Sequence, residues 1–469
     1  MPTTHTLKRS LTAFSVWSLA FGGVIGFGSF MMPGTTFLKR AGTMGTLIAM
    51  ELAALIMLTI SYSYAYMIEK FPDSGGQFVY AEKAFGRTHG FICAWFLGLC
   101  YIMIIPMNCT ALALVFRAVS ERSIFQFGFH YTVAGYDVYS GEVLLALSAL
   151  SVFSLACFRG GRFAGRLQSV FVVVLIAGVL PVLGGALFSP EVSSAELHPM
   201  FWPEDPQHGG ALSQVVSVLV VAPWAYVGFD VVPVFMGEAD FPRRHAKPIM
   251  DTAILCGCFV YVVLNLLSAV GIPERYPDWV SYVAELPGLK GVEGIASFQA
   301  ARKILGTSGV FIISVSAVMA MLTGILGFYM ATSRLLCSMA REKMLPSWFS
   351  ELNSEGVPFK AVIFCAAVSF LAPFVGRNAL GWTVDMSSIG GAISFGYTSL
   401  AAVRFAFSEG RRDIVILGAA GFIFSVMFAF LLLVPVPGLD CSLDFPSYVL
   451  LVIWIAAGSL FFLRMKGRP

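Results

Sequence analysis

Long apolar runs recur along nearly the whole chain, and they constrain its fold more than any other feature. Separating them at charged or Pro/Gly-rich breaks predicts twelve segments, each able to form a membrane-crossing helix of about 20 residues. No stretch between them is long enough for a separate soluble domain of about 100 residues. The sequence therefore predicts an all-α integral membrane protein with spans at 12–38, 44–68, 90–117, 140–158, 165–189, 212–238, 250–271, 306–338, 359–376, 382–407, 414–435 and 446–464.

Composition excludes several function classes. Only 12% of the residues are charged, about half the share of a soluble protein. The net charge of +3 is small and the basic residues are scattered, which argues against a nucleic-acid partner. No GxxxxGK[ST] motif for an ATP-driven pump occurs, and the sparse acids and histidines do not converge on a catalytic or metal site. We expect no enzyme activity, no cofactor and no metal.

Basic residues set the expected orientation. With the N-terminus inside, 21 Lys and Arg residues lie on the inner side and 9 on the outer side, which satisfies the positive-inside rule. Both termini, residues 1–11 and 465–469, are therefore predicted to be cytoplasmic. The long outer connection 272–305 carries an apolar pattern from Trp279 to Leu286, which predicts a short helix that caps the protein or acts as a gate.

The first span contains four glycines, Gly22, Gly23, Gly26 and Gly28, within seven positions. Each glycine costs a helix about 1 kcal/mol relative to alanine, so the helix is expected to break near mid-membrane. Non-helical backbone at that depth is tolerated only where it is buried or lines a cavity. The freed N–H groups could bind a ligand carboxylate at the positive end of the next half-helix. Close packing between helices through small residues is the alternative.

The sixth span reads VAPWAYVGFD from residue 221 to 230, so Pro223 and Gly228 flank two aromatic residues and Asp230 follows. A carboxylate at the membrane centre costs on the order of 3 kcal/mol, so it should face a cavity, pair with donors or carry a proton. Two interpretations stay open. Asp230 is a proton carrier, or it is tied to backbone donors of a second broken helix.

The two irregular spans are the first and the sixth. A separation of five spans predicts two five-helix repeats of inverted topology, because an odd number of helices reverses the second copy. The predicted organisation is a first repeat at 12–189, an outer loop at 190–211, a second repeat at 212–407 and two further spans at 408–464. The ligand would bind between the paired breaks.

Other polar residues within spans have simpler expected roles. Glu51 either pairs with a hydroxyl or reaches the headgroups, and it is a second candidate for coupling or gating. Asn108 is expected to bridge helices. Glu238 lies near Arg243 and Arg244, where an electrostatic tether is expected.

Four motifs resemble those of the amino acid-polyamine-organocation (APC) superfamily. The first break resembles the pattern GxIGxGIFxxPG, and the segment after span two resembles FPxSGGxYxY…AFG. The sixth span, with Glu238 and Pro242, resembles FxGFD…E…P, and the end of span eight resembles SRxxxxMARDGxLP. In this chain these motifs lie at residues 23–34, 71–86, 225–242 and 333–346.

The resemblance implies the leucine-transporter fold, with ten core helices in two inverted repeats, two further helices, and alternating access to a central site. In such relatives backbone amides of the first break hold the ligand carboxylate, and carbonyls of the sixth span meet its amino group. Aromatic side chains close the site. Carried over, these roles fall on Val24, Ile25, Gly26, Phe27 and Gly28, on Ala222, Trp224 and Ala225, and on Trp224, Tyr226 and Phe328.

The resemblance also bears on coupling. Sodium-dependent members place two hydroxyls of span eight on the ion, at positions that align here with Gly327 and Phe328. Some proton-linked or sodium-independent relatives place a lysine in span five, where this chain has Leu175. With both devices missing, Asp230 is the best coupling candidate, and an exchanger without a coupling ion is the alternative.

We therefore expect a secondary transporter for an amino acid or related amine, with H⁺ as a possible second partner and the lipid bilayer as solvent. A transporter for a polyamine or another organic cation is the nearest alternative. A membrane nutrient sensor that does not transport could share the fold, but it would usually carry a soluble signalling extension. The compact chain is typical of a bacterial inner-membrane permease.

Overall fold

A computed structural model describes residues 9–71, 75–119, 124–189, 192–203, 209–439 and 441–466. Helices form because the long apolar runs satisfy their own backbone hydrogen bonds. The α-helices are α1 (Ala13–Val24), α2 (Phe27–Met32), α3 (Leu38–Lys70), α4 (Gln77–Phe85), α5 (Arg87–Val119), α6 (Ser140–Cys157), α7 (Gly161–Phe188), α8 (Ala211–Leu219), α9 (Ala222–Ala225), α10 (Val232–Phe235), α11 (Ala246–Val270), α12 (Trp279–Glu285), α13 (Ala296–Arg341), α14 (Phe359–Ser369), α15 (Asn378–Ser408), α16 (Arg412–Leu433) and α17 (Phe445–Lys466).

Single helical turns complete several of these elements. A π-helical turn, Pro33–Phe37, joins α2 to α3. The 3-10 turns are Ser194–Leu197, Phe229–Val231, Arg243–His245, Leu286–Gly288, Gly291–Gly294, Ser347–Ser350 and Ala372–Val375. The helical architecture expected from the sequence is thereby confirmed.

A short β-hairpin between α5 and α6 was not expected from the sequence. Strands β1 (His130–Val133) and β2 (Tyr136–Tyr139) pair antiparallel, with Val133 opposite Tyr136. The two-residue turn has positive φ at both Ala134 and Gly135, the geometry that suits the twist of a tight hairpin. The purely α-helical expectation is corrected at this connection.

Within the described residues, eight helical stretches are long and apolar enough to cross a membrane. They are Ala13–Lys70, Arg87–Val119, Ser140–Cys157, Gly161–Phe188, Arg243–Val270, Ala296–Arg341, Arg412–Leu433 and Phe445–Leu463. Large apolar side chains, such as Leu155, Ile423 and Val452, are more than half exposed on peripheral helices. An apolar outer surface of this kind matches a hydrocarbon solvent.

The count of eight differs from the twelve predicted spans for identifiable reasons. Ala13–Lys70 covers two predicted spans, because the helical course continues through a break near residue 25 and a kink at Gly42. The predicted spans 212–238 and 359–376 consist of shorter helical pieces. The helix α15 is long, but its many Ser and Gly residues lower its hydropathy.

One predicted boundary is corrected. The helix α13 begins at Ala296, ten residues before the predicted start of span eight, and it kinks at Gly306 where φ is 62°. The expected short helix in the connection 272–305 is present as α12, whose buried Trp279 and Tyr282 pack against Leu38. This position fits the expected cap, which here covers the beginning of α3.

Candidate functional site

The first break lies between α1 and α2. The helix α1 ends at Val24, Ile25 and Gly26 have extended backbone, and α2 begins at Phe27. The interruption falls inside the glycine-rich segment, as the sequence predicts. Backbone groups that a continuous helix would pair internally are thereby available to other partners.

The second break lies between α9 and α10. The helix α9 ends at Ala225, residues 226–228 are not helical, and a 3-10 turn, Phe229–Val231, leads into α10. Gly228 has a φ of 138°, which an L side chain rarely adopts. The sixth predicted span is therefore interrupted just before Asp230.

The two breaks touch each other directly. A Cβ added to Gly23 would lie 2.8 Å from Gly228 Cα, and one added to Gly228 would lie 2.5 Å from the backbone nitrogen of Val24. Both distances are shorter than real Cβ contacts. The close approach requires glycine on both sides, and it places the end of α1 beside the non-helical segment that follows α9.

Aromatic side chains pack against glycines on both sides of the first break. A Cβ on Gly28 would lie 2.0 Å from Trp224 Cη2, so the indole packs directly on the glycine. The Phe27 and Trp224 rings meet edge to face, with centroids 6.2 Å apart. Phe328 of α13 packs against Gly23 and lies 5.4 Å from the Tyr101 ring. The structure thus places Trp224 against Gly28 and Phe328 against Gly23.

Other predicted site residues are engaged elsewhere. The Tyr226 hydroxyl donates to the Met50 carbonyl at 2.8 Å, so this side chain points towards α3. The Val24 carbonyl accepts from the Tyr261 hydroxyl at 3.3 Å. Glu51 is exposed on α3 and joins none of these hydrogen bonds within the described residues. Tyr226 and Glu51 are therefore not brought to the contact between the breaks.

Two of the three α9 carbonyls assigned to a ligand amine already accept backbone N–H groups. Ala222 O accepts from Tyr226 N, and Trp224 O accepts from Val227 N, each at 3.1 Å. A carbonyl oxygen has a second lone pair, so each can accept one further bond. Ala222, Trp224 and Ala225 are all buried.

Asp230 is fully buried, and its carboxylate is held by three donors. The Gly228 N–H donates to Oδ1 at 2.9 Å, while the Tyr101 hydroxyl and Gln77 Nε2 donate to Oδ2 at 2.8 and 3.3 Å. Gln77 belongs to the segment 71–86, of which residues 72–74 lie outside the described residues. The carboxylate is tied to a backbone donor of the broken helix, in addition to two side chains from α4 and α5.

Two polar residues that the sequence analysis missed contact the first helix. Thr323 Oγ1 of α13 donates to the Gly22 carbonyl at 3.0 Å. Gln168 Nε2 of α7 donates to the carbonyls of Ser18 and Thr323 at 3.2 and 3.3 Å. Both lie in predicted spans, where a polar amide or hydroxyl side chain indicates that the residue bonds to a neighbouring helix.

Thr323 and Gln168 lie on the same helices as Gly327 and Leu175, the two positions aligned with coupling residues of relatives. The hydroxyl that reaches the first helix comes from Thr323, about one turn before Gly327. The side chain from α7 is the neutral amide of Gln168, two turns before Leu175.

Asn108 confirms its expected role as a bridge between helices. It lies on α5, is completely buried, and its Oδ1 accepts the Phe27 N–H at 3.1 Å. The bond caps the beginning of α2. One of the amides assigned to a ligand carboxylate thus has a protein partner in this structure.

Glu238 pairs with Arg334 rather than with the nearby Arg243 and Arg244. Arg334 Nε donates to Glu238 Oε1 at 2.8 Å, and both side chains are buried. Arg243 and Arg244 are exposed. The expected tether therefore exists, but it joins the end of the sixth span to α13.

The described residues contain no group of three or more His, Cys, Asp or Glu side chains that could hold a metal ion. The contact between the breaks instead offers backbone N–H groups, backbone carbonyls and aromatic rings. Such groups can bind a small zwitterion through its two charged ends.

Comparisons with known proteins identify the family of the chain. The sequence profile of one family, described as amino acid permease, matches residues 11–457. The branched-chain amino acid permease BcaP of Lactococcus lactis subsp. cremoris (strain MG1363) is 25% identical over 86% of this chain and 83% of its own length. The gamma-aminobutyric acid permease of Escherichia coli (strain K12) is 24% identical over 80% and 75%.

The lysine-specific permease LysP of the same Lactococcus strain is 26% identical over 99% of this chain and 90% of its own length. The family match covers almost the whole chain, including both breaks and the Glu238–Arg334 pair. The chain therefore belongs to the amino acid permease family of the APC superfamily, and it is an integral membrane protein that transports amino acids.

Proposed function

We propose that this protein is a secondary active transporter that moves an amino acid by alternating access, with the ligand bound where the two breaks meet. The observation that carries the proposal is the contact between Gly23 and Gly228, at 2.8 Å from a built Cβ to Cα. It sets the end of α1 beside the segment that follows α9, while Gly28 of α2 packs against the Trp224 side chain of α9. A helix start favours an anion and a helix end favours a cation.

The ligand orientation follows from these two helix ends. The α-carboxylate accepts from backbone amides of Gly26, Phe27 and Gly28, next to Val24 and Ile25. The amino group donates to the second lone pairs of carbonyls at Ala222, Trp224 and Ala225. Trp224 and Phe328 cover the ligand side chain, while Tyr226 acts through its anchor on Met50.

The proposed architecture has twelve spans in two inverted repeats. The first repeat is 12–189 and the second is 212–407, with an outer loop at 190–211 and two further spans at 408–464. The support is that α1–α2 and α8–α10, the first and sixth spans, are the two with breaks in contact. The Glu238–Arg334 pair then closes the inner side.

Coupling is assigned to Asp230, as a proton carrier. Its carboxylate is completely buried and bonded to Gly228 at the second break, so its protonation would change the backbone of the substrate site. An exchanger without a coupling ion is the second candidate, and it is favoured by how fully the three donors satisfy the carboxylate. Glu51, exposed on α3, is placed outside this step.

The proposed location is a bacterial inner membrane with both termini in the cytoplasm. The support is the distribution of basic residues, 21 inside against 9 outside. A polyamine transporter and a non-transporting sensor are the competing functions. A polyamine lacks the carboxylate for which the start of α2 is suited, and a sensor would bind a ligand without moving it.

The experiment is uptake by purified protein in proteoliposomes, with radiolabelled leucine, lysine and γ-aminobutyrate, and with the polyamine putrescine. We expect uptake of at least one of the three amino acids and none of putrescine. Ligand binding without uptake would favour the sensor, and uptake of putrescine alone would refute the proposed site.

A glycine substitution tests where the ligand binds. Gly28→Ala drives a methyl group into Trp224, the far end of which can shift, so we expect at least a tenfold loss of uptake with the protein still folded. Gly184→Ala is the matched control, since a Cβ there meets nothing within 4 Å. Full uptake by Gly28→Ala would contradict the assignment of the carboxylate to this break.

A further inference from the structure

The first break contains an internal acceptor at the position proposed for the ligand carboxylate. Phe27 N–H donates to Asn108 Oδ1 at 3.1 Å, and the Asn108 side chain is fully buried. The residues are 81 apart in sequence and belong to α2 and α5. The amide oxygen of Asn108 thus occupies one bond that an incoming carboxylate oxygen would need.

The orientation of the Asn108 amide is determined by its second bond. Its Nδ2 donates to the Ile104 carbonyl at 2.9 Å, one turn back on α5. An amide turned over would place its NH₂ group against the Phe27 N–H, and two donors would face each other. The oxygen of the side chain therefore points at the first break.

Two glycines make room for this amide. A Cβ on Gly26 would lie 3.2 Å from Asn108 Oδ1, and a Cβ on Gly324 of α13 would lie 2.6 Å from Nδ2. The carboxamide is held between the break and α13, with no space for a larger group. The Asn108 amide thus makes a buried contact that joins α5 to the first break and to α13.

We propose that Asn108 is a specificity residue, whose amide oxygen substitutes for the ligand carboxylate while the site is empty and is displaced when an amino acid binds. This inference rests on the proposed substrate site. Without Asn108 the buried Phe27 N–H would be unpaired in the empty protein, which is costly. A neutral acceptor satisfies it, and a carboxylate makes the stronger charge-assisted bond.

The Asn108 oxygen would select ligands by whether they carry a carboxylate. An α-amino acid brings a carboxylate that replaces the Asn108 oxygen at Phe27 N–H. The corresponding amine, which lacks the carboxylate, leaves Asn108 in place and gains nothing at this position. Asn108 therefore makes the empty site selective for amino acids over amines.

The test uses two variants that keep the number of side-chain heavy atoms of Asn and have opposite expected behaviour. Asn108→Asp keeps the acceptor and adds a carboxyl group, whose ionised form repels a ligand carboxylate. Asn108→Leu removes the acceptor and leaves Phe27 N–H unpaired until a ligand binds. A residue that only holds helices together would respond to both changes in the same direction.

The readout is the shift of the melting temperature of the full chain in detergent, with leucine or lysine and with their decarboxylated counterparts, 3-methylbutylamine and cadaverine. For wild type we expect stabilisation by at least one amino acid and at least tenfold weaker binding of its amine. For Asn108→Asp we expect at least a tenfold loss of amino acid affinity, with amine affinity retained or increased. For Asn108→Leu we expect a lower melting temperature when empty and a larger rise with the amino acid.

The outcomes separate this inference from the function on which it rests. Wild type that binds none of the ligands overturns both. Wild type that binds an amino acid, with Asn108→Asp binding it within twofold, overturns the role of Asn108 alone. If Asn108→Asp does not fold, the Asn108→Leu result decides, since an unchanged ligand-induced rise contradicts the substitution.

Discussion

The two breaks are stabilised in different ways, although they touch. At the first break, neutral side chains from other helices pair the freed backbone groups, with Asn108 on the Phe27 N–H and Thr323 on the Gly22 carbonyl. At the second break, the chain supplies its own charged acceptor, Asp230, to the Gly228 N–H two residues earlier. A ligand anion can replace a neutral partner more easily than a carboxylate, so the first break is suited to binding and the second to a stable bend.

The largest effect that this comparison predicts is at Gly228. In Gly228→Ala, an alanine would have to adopt a φ of 138°, and its Cβ would lie 2.5 Å from Val24 N. We therefore expect the free energy of unfolding to fall by more than about 3 kcal/mol. The measurement is the melting temperature of the purified protein in detergent.

Gly410→Ala is the matched control. Gly410 also has positive φ, at 72°, but a Cβ there meets nothing within 4 Å, so Gly410→Ala should cost about 1–2 kcal/mol, from backbone strain alone. Equal losses of stability in the two variants would show that Gly228 is required for its backbone conformation and not for the contact between the breaks.

The next effect concerns Asp230→Asn. Asn offers one oxygen where Asp230 accepts from Gly228, Tyr101 and Gln77, so a buried donor loses its acceptor at a cost of about 1–3 kcal/mol. In proteoliposomes we expect the stimulation of uptake by an inward proton gradient to disappear while exchange of internal for external amino acid remains.

Asp385→Asn serves as the control for charge removal. Asp385 accepts from Ser447 near the start of α15, away from the breaks, so its replacement should leave the gradient response intact. Asp230→Asn that still responds to the gradient as wild type does would remove Asp230 from coupling and favour the exchanger.

The smallest effect is expected at the first break. Thr323→Val keeps the shape of the side chain but removes the donor to Gly22, which should cost about 1 kcal/mol. Thr59→Val, on the exposed face of α3, should change the melting temperature by almost nothing. A loss at Thr323 as large as that at Gly228 would erase the proposed difference between the breaks.

The sequence indicated the breaks, because clustered glycines and a proline in apolar runs have a local physical cost. It could not identify the partners that satisfy them. Asn108 and Phe27 are 81 residues apart, and Thr323 and Gly22 are 301 apart, so packing alone brings them together. Spacing along the chain carries no record of such contacts.

Predictions from neighbouring residues in the sequence were wrong where the true partner lies far along the chain. Glu238 was assigned to Arg243 and Arg244 because they follow closely, yet the buried partner is Arg334, 96 residues away. Tyr226 lies in a non-helical segment, where its position does not determine its direction, and its hydroxyl reaches Met50. The hairpin β1–β2 was overlooked in a chain dominated by apolar helices.

The backbone bonds that surround Glu238 have a mechanical consequence. The N–H groups of Ser10 and Leu11 both donate to the Glu238 carbonyl, and Asp240 N donates to the Leu11 carbonyl. This short parallel bridge couples the beginning of α1 to the chain just after α10. The two half-helices are thus tied to each other at this end, and the buried Glu238–Arg334 pair joins the same end to α13.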